Sequence, residues 1–318
     1  MRLHEQLTNV NQLRIVVVGH PDLLIAYPTL STANFTQLWS PLKLINHLRL
    51  CRVVVANTPL ACLASVLATS FMQRKHRPTL IHLVHSMPSG RMRSAVVRWA
   101  TKRATIRSCV SYSIADDWVQ PLRVDPLGVA AGDVGPAPAS VPDLPALYAM
   151  GRPAHVKGLD LFIEALGDGP RPTGASDVVL GLTEIGSRYA QRLRDSAPEW
   201  MSVRAGLSPT ILRAGDILVV PSRAETAALL AQEAMARGVV VVATPVGDVP
   251  RIIQNGETGF LAANCSVTAI REATAAALAL SPSERLRIAR QAVSVSMGQA
   301  GVWEREIGIM IEQCLSTH

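Results

Sequence analysis

A chain of 318 residues, 48% apolar but only 4% aromatic, can fill two cores of ordinary size and suits parallel sheets covered by helices. Its five cysteines (Cys51, Cys62, Cys109, Cys265 and Cys314) form no C-x-x-C pair, which argues against a disulfide framework or zinc site and for reduced thiols in a cytosolic protein. The formal charge of +7 divides into +8 for residues 1–145 and −1 beyond, and no acid falls between Leu23 and Ala115, so the first half reads either as a plain solvated basic face or as one that meets an anionic partner.

The opening residues, MRLHEQLTNVNQLR, have no apolar core and do not read as a secretory signal. Leu13–Gly19 predicts a first buried strand, but no G-x-G-x-x-G follows it. Cys51–Ala56 predicts the next strand and Pro59–Phe71 its helix; Asn57-Thr58-Pro59 breaks this apolar stretch, so no transmembrane span is expected. Leu80–His85 is a third strand, with a small-residue turn at Ser86–Gly90. Met92–Ala104 reads as a basic amphipathic helix, as suited to a membrane surface as to the outside of a basic α/β domain. Arg107–Ser111 gives a fourth strand and Ile114–Val119 a short helix, after which Val124–Val129 leads out of a first domain covering residues 1–130.

Residues 131–145, rich in Pro, Gly and Ala, predict a linker. A second domain, 146–298, then alternates strands (Ala146–Met150, Asp177–Leu182, Met201–Ala205, Ile217–Val220, Val239–Ala243, Gly259–Ala262) with helices, the pattern of a doubly wound parallel sheet. A last amphipathic helix lies within 299–318.

Two stretches carry chemistry. In Val219–Phe260, a strand stops at Pro221, Glu225 follows in the loop, and a helix pattern running from Thr226 contains Glu233 and stops at Gly238. Amides opening that helix, around Ala228, Leu229 and Leu230, suit phosphate, and the two carboxylates can accept from hydroxyls on either side of it. One anion seat between two hydroxyl acceptors fits a nucleotide sugar. In Tyr148–Leu161, Arg152 and Lys157 share one loop at a strand's carboxyl end, where both can address the same phosphates. No D-x-D occurs, and no His, Asp and Glu cluster has metal-ligand spacing, so neither metal nor cofactor is expected.

The run PSR-A-Glu225-x7-Glu233-AMA-x-G, continued by VVVATPVG and NGETGF, resembles the donor-site signature of group 1 retaining GT-B glycosyltransferases, and G-Arg152-x4-Lys157-G resembles their second landmark. The resemblance implies an α/β GT-B fold of two Rossmann-like domains facing a cleft, with the terminal helix bracing the first domain. It implies hexosyl transfer with retained configuration, from a nucleoside diphosphate sugar to a saccharide or lipid-linked acceptor. Arg152 and Lys157 would meet the departing diphosphate in place of a metal, Glu225 would orient the sugar, Glu233 would take the ribose, and backbone at Thr226, Ala227 and Ala228 would contact the hexose. His85 is a candidate beside the donor sugar, and Gly19 permits close backbone approach; a structural histidine is equally consistent.

The chain departs from that family in two ways. Thr226-Ala227-Ala228 replaces Gly-Phe-Gly, so either the loop has an ordinary conformation or the sugar pocket has changed shape. The first domain is also one or two βα units short. A decayed GT-B subunit binding a glycan or partner is therefore the alternative to an active enzyme. The expected location is the cytoplasm, peripheral at the inner membrane face, with an anionic membrane as partner; nucleic acid is not expected, because no stacking aromatics interleave with the cations.

Overall fold

The computed structural model describes residues 16–18, 45, 48–49, 52–56, 58–85, 91–118, 121–167 and 169–316. The chain forms two α/β units, Met1–Pro126 with Val302–His318, and Leu127–Gly301. Gly19, His20 and the Ser86–Gly90 turn lie outside the described residues.

The first unit is built on a parallel sheet in the order β1 (Val16–Val18), β2 (Val53–Ala56), β3 (Thr79–Val84), β4 (Ile106–Cys109), β5 (Arg123–Val124). Parallel neighbours need crossovers. These are α1 (Pro59–Ser70), α2 (Arg91–Thr101) and α3 (Tyr112–Asp116), the first and last opened by the hydroxyl caps of Thr58 and Ser111. Val54 and Ala56 of β2 pack with Ala61, Cys62 and Val66 of α1 and Ala100 of α2. The short helix ends before Val119, and β5, which has no apolar pattern of its own, is held by Asp125 N donating to Cys109 O at 2.9 Å. The final helix, α10 (Val302–Ser316), buries Trp303, Ile307, Met310, Ile311 and Cys314 along one stripe. Its Glu306 accepts from Arg123 at 2.7 Å, and Arg123 also pairs with the buried Asp125.

The second unit is a six-stranded parallel sheet, built from β6 (Ala146–Gly151), β7 (Asp177–Leu182), β8 (Ser202–Ala205), β9 (Ile217–Val220), β10 (Val240–Ala243) and β11 (Gly259–Leu261). Their order is β11-β10-β9-β6-β7-β8, so the chain winds outward in one direction, returns to the middle and winds the other way. Such a sheet opens a crevice at the carboxyl ends of its two central strands, here β6 and β9.

Both faces of this sheet are covered, which explains why its strands read as unbroken apolar runs. Ile217, Val219, Val240 and Val242 face one core, shared with Phe162 of α4 (Leu159–Leu166), Leu193 of α5 (Arg188–Ser196) and Ile270 of α8 (Val267–Leu278). The alternate residues Leu218, Val220, Val241 and Ala243 face the other, with Ala231, Ala234 and Met235 of α6 (Leu229–Met235), Val249 of α7 (Val249–Ile252) and Ala292 of α9 (Pro282–Gln299).

Residues 131–145 differ from a free spacer: they are strapped to this unit. Arg285, almost fully buried, donates to the carbonyls of Pro142, Asp143 and Leu280, and Arg290 donates to Pro138 and Ala139. Composition reads Pro and Gly as a linker, but these arginines supply donors that the proline-rich backbone cannot.

Candidate functional site

The loops leaving β6 and β9 meet at backbone level. Gly158 has φ 63°, and a Cβ there would lie 1.9 Å from Pro221 O, so only glycine permits this approach. Across the same seam Arg223 N donates to Val156 O at 2.8 Å. The Arg223 guanidinium then donates to His155 O at 2.8 Å and grips both oxygens of Asp160 at 2.7 Å. Tyr189 Oη adds a bond to Asp160 at 2.9 Å. Burial alone would raise the Asp160 carboxyl; the bonds from Arg223 and Tyr189 outweigh it and hold the group below the usual range. This fork fixes the short turn His155–Lys157 against the loop that carries Glu225.

With its backbone pinned, Lys157 reaches across the seam. Nζ donates to Glu225 Oε1 at 2.6 Å, and Ser222 Oγ donates to the same oxygen at 2.7 Å. Glu225's side chain is 11% exposed and that of Lys157 32%. Both bonds fall on Oε1; among the described residues no side chain or amide donates to Oε2.

The loop after Glu225 does not begin the helix at Thr226. Asp248 N takes Thr226 O at 3.1 Å, and Gln232 Nε2 takes Ala227 O at 2.6 Å as well as Leu127 O at 3.0 Å. Gly247, with φ 58°, lets its backbone rest on Glu225 O, which a Cβ would approach to 2.2 Å. Ala228 then adopts φ 50°, ψ 44°, a left-handed conformation shared by no other described non-glycine residue. Of the two alternatives left by the loss of glycine, an ordinary loop conformation does not hold at this position. Helix α6 starts at Leu229, with no side chain capping its first amides. Thr226 and Leu230 are half-buried, Ala227 and Ala228 buried, and Leu229 exposed.

Glu233 is half-buried on α6; burial pushes its carboxyl up, Arg237 opposes this and Asp133 adds to it. Arg152 follows Gly151 at the end of β6, exposed and without an ion pair among the described residues. The structure thus joins Lys157 to Glu225 directly and sets Arg152 and Glu233 on elements at the same central strand ends, without a hydrogen bond to that pair. His85 belongs to the other unit, one residue past β3, where burial pushes its imidazole down to about 4 and keeps it neutral. Among the described residues no group of three or more His, Cys, Asp or Glu could hold a metal ion.

Sequence reasoning missed Ser222, Arg223, Asp160 and Gln232. The available signal was position: Ser222 and Arg223 precede Glu225 within the quoted motif, and Asp160 follows Lys157 by three residues.

Fold and strand order define the class: an α/β protein with parallel sheets in both units, a fold shared with GT-B glycosyltransferase structures. Residues 145–279, within the second unit, match the family model described as "Glycosyl transferases group 1". A lipopolysaccharide core biosynthesis mannosyltransferase, LpcC, of Rhizobium leguminosarum bv. viciae is 32% identical over 183 residues, covering 53% of this chain and 48% of that protein. The D-inositol 3-phosphate glycosyltransferase of Rhodococcus erythropolis is 34% identical over 145 residues, covering 44% and 31% respectively. The chain thus spans about half or less of the length of these curated relatives. Among solved structures, Anabaena HepE in complex with UDP-glucose superposes with a TM-score of 0.75 at 16% identity, over 99% of this chain and 96% of that one. Sucrose-phosphate synthase from Thermosynechococcus elongatus gives 0.73 at 16% identity, over 100% and 92%. At such identities the likeness concerns the fold.

Proposed function

We propose that the protein is a retaining, metal-independent hexosyltransferase that moves a sugar from a nucleoside diphosphate to a saccharide or lipid-linked acceptor. The observation that carries this reading is the Lys157–Glu225 pair, held at 2.6 Å where the β6 and β9 loops meet. A cation and a carboxylate locked together at a doubly wound sheet's switch point match what a donor needs: positive charge for the diphosphate and an acceptor for a sugar hydroxyl. Arg152 and the uncapped amides of α6 add donors to the same end of the sheet. The names of the relatives, a mannosyltransferase and a glycosyltransferase, and the UDP-glucose complex of the Anabaena protein support the same class.

In this mechanism the bond from the anomeric carbon to the diphosphate oxygen breaks while the acceptor oxygen bonds to the same face. The leaving phosphate takes the acceptor's proton. Lys157 and Arg152 balance charge on the departing diphosphate, Glu225 orients the sugar hydroxyls, and Glu233 accepts from the ribose. Removing Lys157 should raise the barrier by about 2–4 kcal/mol, as for other preorganised donors. The left-handed Ala228 favours this reading over a decayed subunit, since the loop keeps a strained conformation after losing its glycine.

Donor-only hydrolysis of UDP- and GDP-sugars decides the matter. The wild-type chain should turn over one of them slowly, with Lys157→Ala and Glu225→Ala reduced at least about thirtyfold. Absence of both turnover and UDP or GDP binding, with the chain folded, would rule the reading out.

A further inference from the structure

Helix α1 is unusual for the outside of a parallel sheet. From Pro59 to Ser70 it contains no charged residue. Its inner face packs Ala61, Cys62, Val66 and Ala68 into the first unit's core. Its outer face leaves Leu60 74% exposed and Leu67 47% exposed, and Phe71, at the helix C-cap, is 79% exposed. Steps of seven and four residues keep these three within about 40° of one another around the axis, so they form a single stripe. An outer helix normally turns charge to water, as α5 of the second unit does with RYAQRLRDS.

Cations frame the stripe. Three residues past Phe71, Arg74, Lys75 and His76 form an exposed turn. Arg77 fastens that turn to the end of α1, donating from Nε to Met72 O at 3.0 Å and from Nη2 to Ser70 O at 3.3 Å. Helix α2 packs beside α1 and exposes Val96 and Trp99, with the Arg103 guanidinium 3.9 Å from the Trp99 ring centre. Lys102 and Arg103 are exposed as well.

We propose that this face of the first unit docks on an anionic lipid bilayer, with Leu60, Leu67 and Phe71 entering the boundary between headgroups and acyl chains. Sequence reasoning offered α2 as either a membrane-surface helix or the outside of a basic α/β domain; the exposed apolar stripe lies on α1. Charge complementarity selects the occupant. No acid occurs from Leu23 to Ala115, so a second copy would oppose like charge with like. A nucleic acid would satisfy the cations but offers nothing to two exposed leucines. An acidic leaflet matches both the cations and the apolar stripe. At twelve residues α1 is too short to span a membrane, so the contact lies in the surface. The inference is independent of glycosyl transfer.

The test is cosedimentation of the full chain with vesicles of phosphatidylcholine, with and without roughly one third phosphatidylglycerol. The chain should bind the mixed vesicles, release in high salt, and ignore phosphatidylcholine alone. The pair Leu67→Ser with Phe71→Ser, and separately Arg74→Gln with Lys75→Gln, should each lower partitioning at least about tenfold. Melting temperatures of both pairs should stay at or above that of wild type, because exposed positions contribute little to the fold. Equal binding to neutral vesicles, no binding at all, or wild-type binding by the serine pair would overturn the proposal. So would a serine pair that melts several degrees lower, or that splits a dimer in sedimentation velocity, since the stripe would then belong to a protein contact.

Discussion

Replacing Arg223 with lysine isolates the fork that aligns the two loops of the proposed donor site. Lysine keeps the charge but cannot hold His155 O and both oxygens of Asp160 at once. At least two of the three side-chain bonds, at 2.7–2.8 Å, are lost. A charge-assisted bond in a protein contributes about 1.5–3 kcal/mol. Both side chains here are 27% exposed, so solvent screening reduces the combined loss to about 2 kcal/mol. For a unit of this size that corresponds to a fall in melting temperature of about 4–8 °C. The same change frees the turn carrying Lys157, so UDP or GDP should bind about tenfold more weakly by calorimetry. Arg223→Lys in an Asp160→Asn background should add little to either effect, because the partner has already lost its charge. If Arg223→Lys melts with wild type and binds nucleotide equally well, the fork does not position Lys157 and the reasoning fails.

Burial raises the Glu233 carboxyl, so the folded chain holds its proton more tightly than the unfolded one, and stability falls as pH rises past the ordinary value of 4.5. Glu233→Gln should therefore stabilise the protein at neutral pH while weakening nucleotide binding, and the gain should vanish below that value; a denaturation series from pH 4 to 8 checks it. Ala228→Gly should be neutral or stabilise by up to about 1 kcal/mol, since glycine bears the left-handed backbone at no steric cost; a loss of that size in urea melts would contradict the geometry. His82, fully buried with Nδ1 on Thr101, and His85 are both pushed from 6.5 to about 4 by burial, and His82 is lowered further by His85. Unfolded histidine takes up the proton first, so stability present above 6.5 is lost as pH falls towards 4, by on the order of 3 kcal/mol for His82. His82→Gln should flatten that acid limb.

What could be read in advance follows from where the information resides. Asp177–Leu182 and Ile217–Val220 are visible as strands because a sheet buried on both faces needs apolar residues at every position. β5 is invisible, because two residues, Arg123 and Val124, carry no period and owe their conformation to β4. The start of α6 was misplaced because Thr226, Ala227 and Ala228 have no local reason to avoid a helix. Asp248 N and Gln232 Nε2, distant or further along the chain, claim the carbonyls of Thr226 and Ala227. Within the site, Lys157 and Glu225 stand out through their motifs. Arg223 and Asp160 do not, since their meaning lies in a bidentate pair between a loop residue and a helix residue 63 positions apart.

The second unit leaves and rejoins the chain at one spot. Gly301 N donates to Val129 O at 3.1 Å, so the entry and exit of residues 127–301 are tied together. The unit is an inserted cassette whose ends already touch, and freeing it would need two cuts but no new closure. A polypeptide of residues 127–301 alone should fold, melt cooperatively and still show the nucleotide dependence of its parent. The same adjacency makes this the place where nature, or an engineer, could exchange one such unit for another.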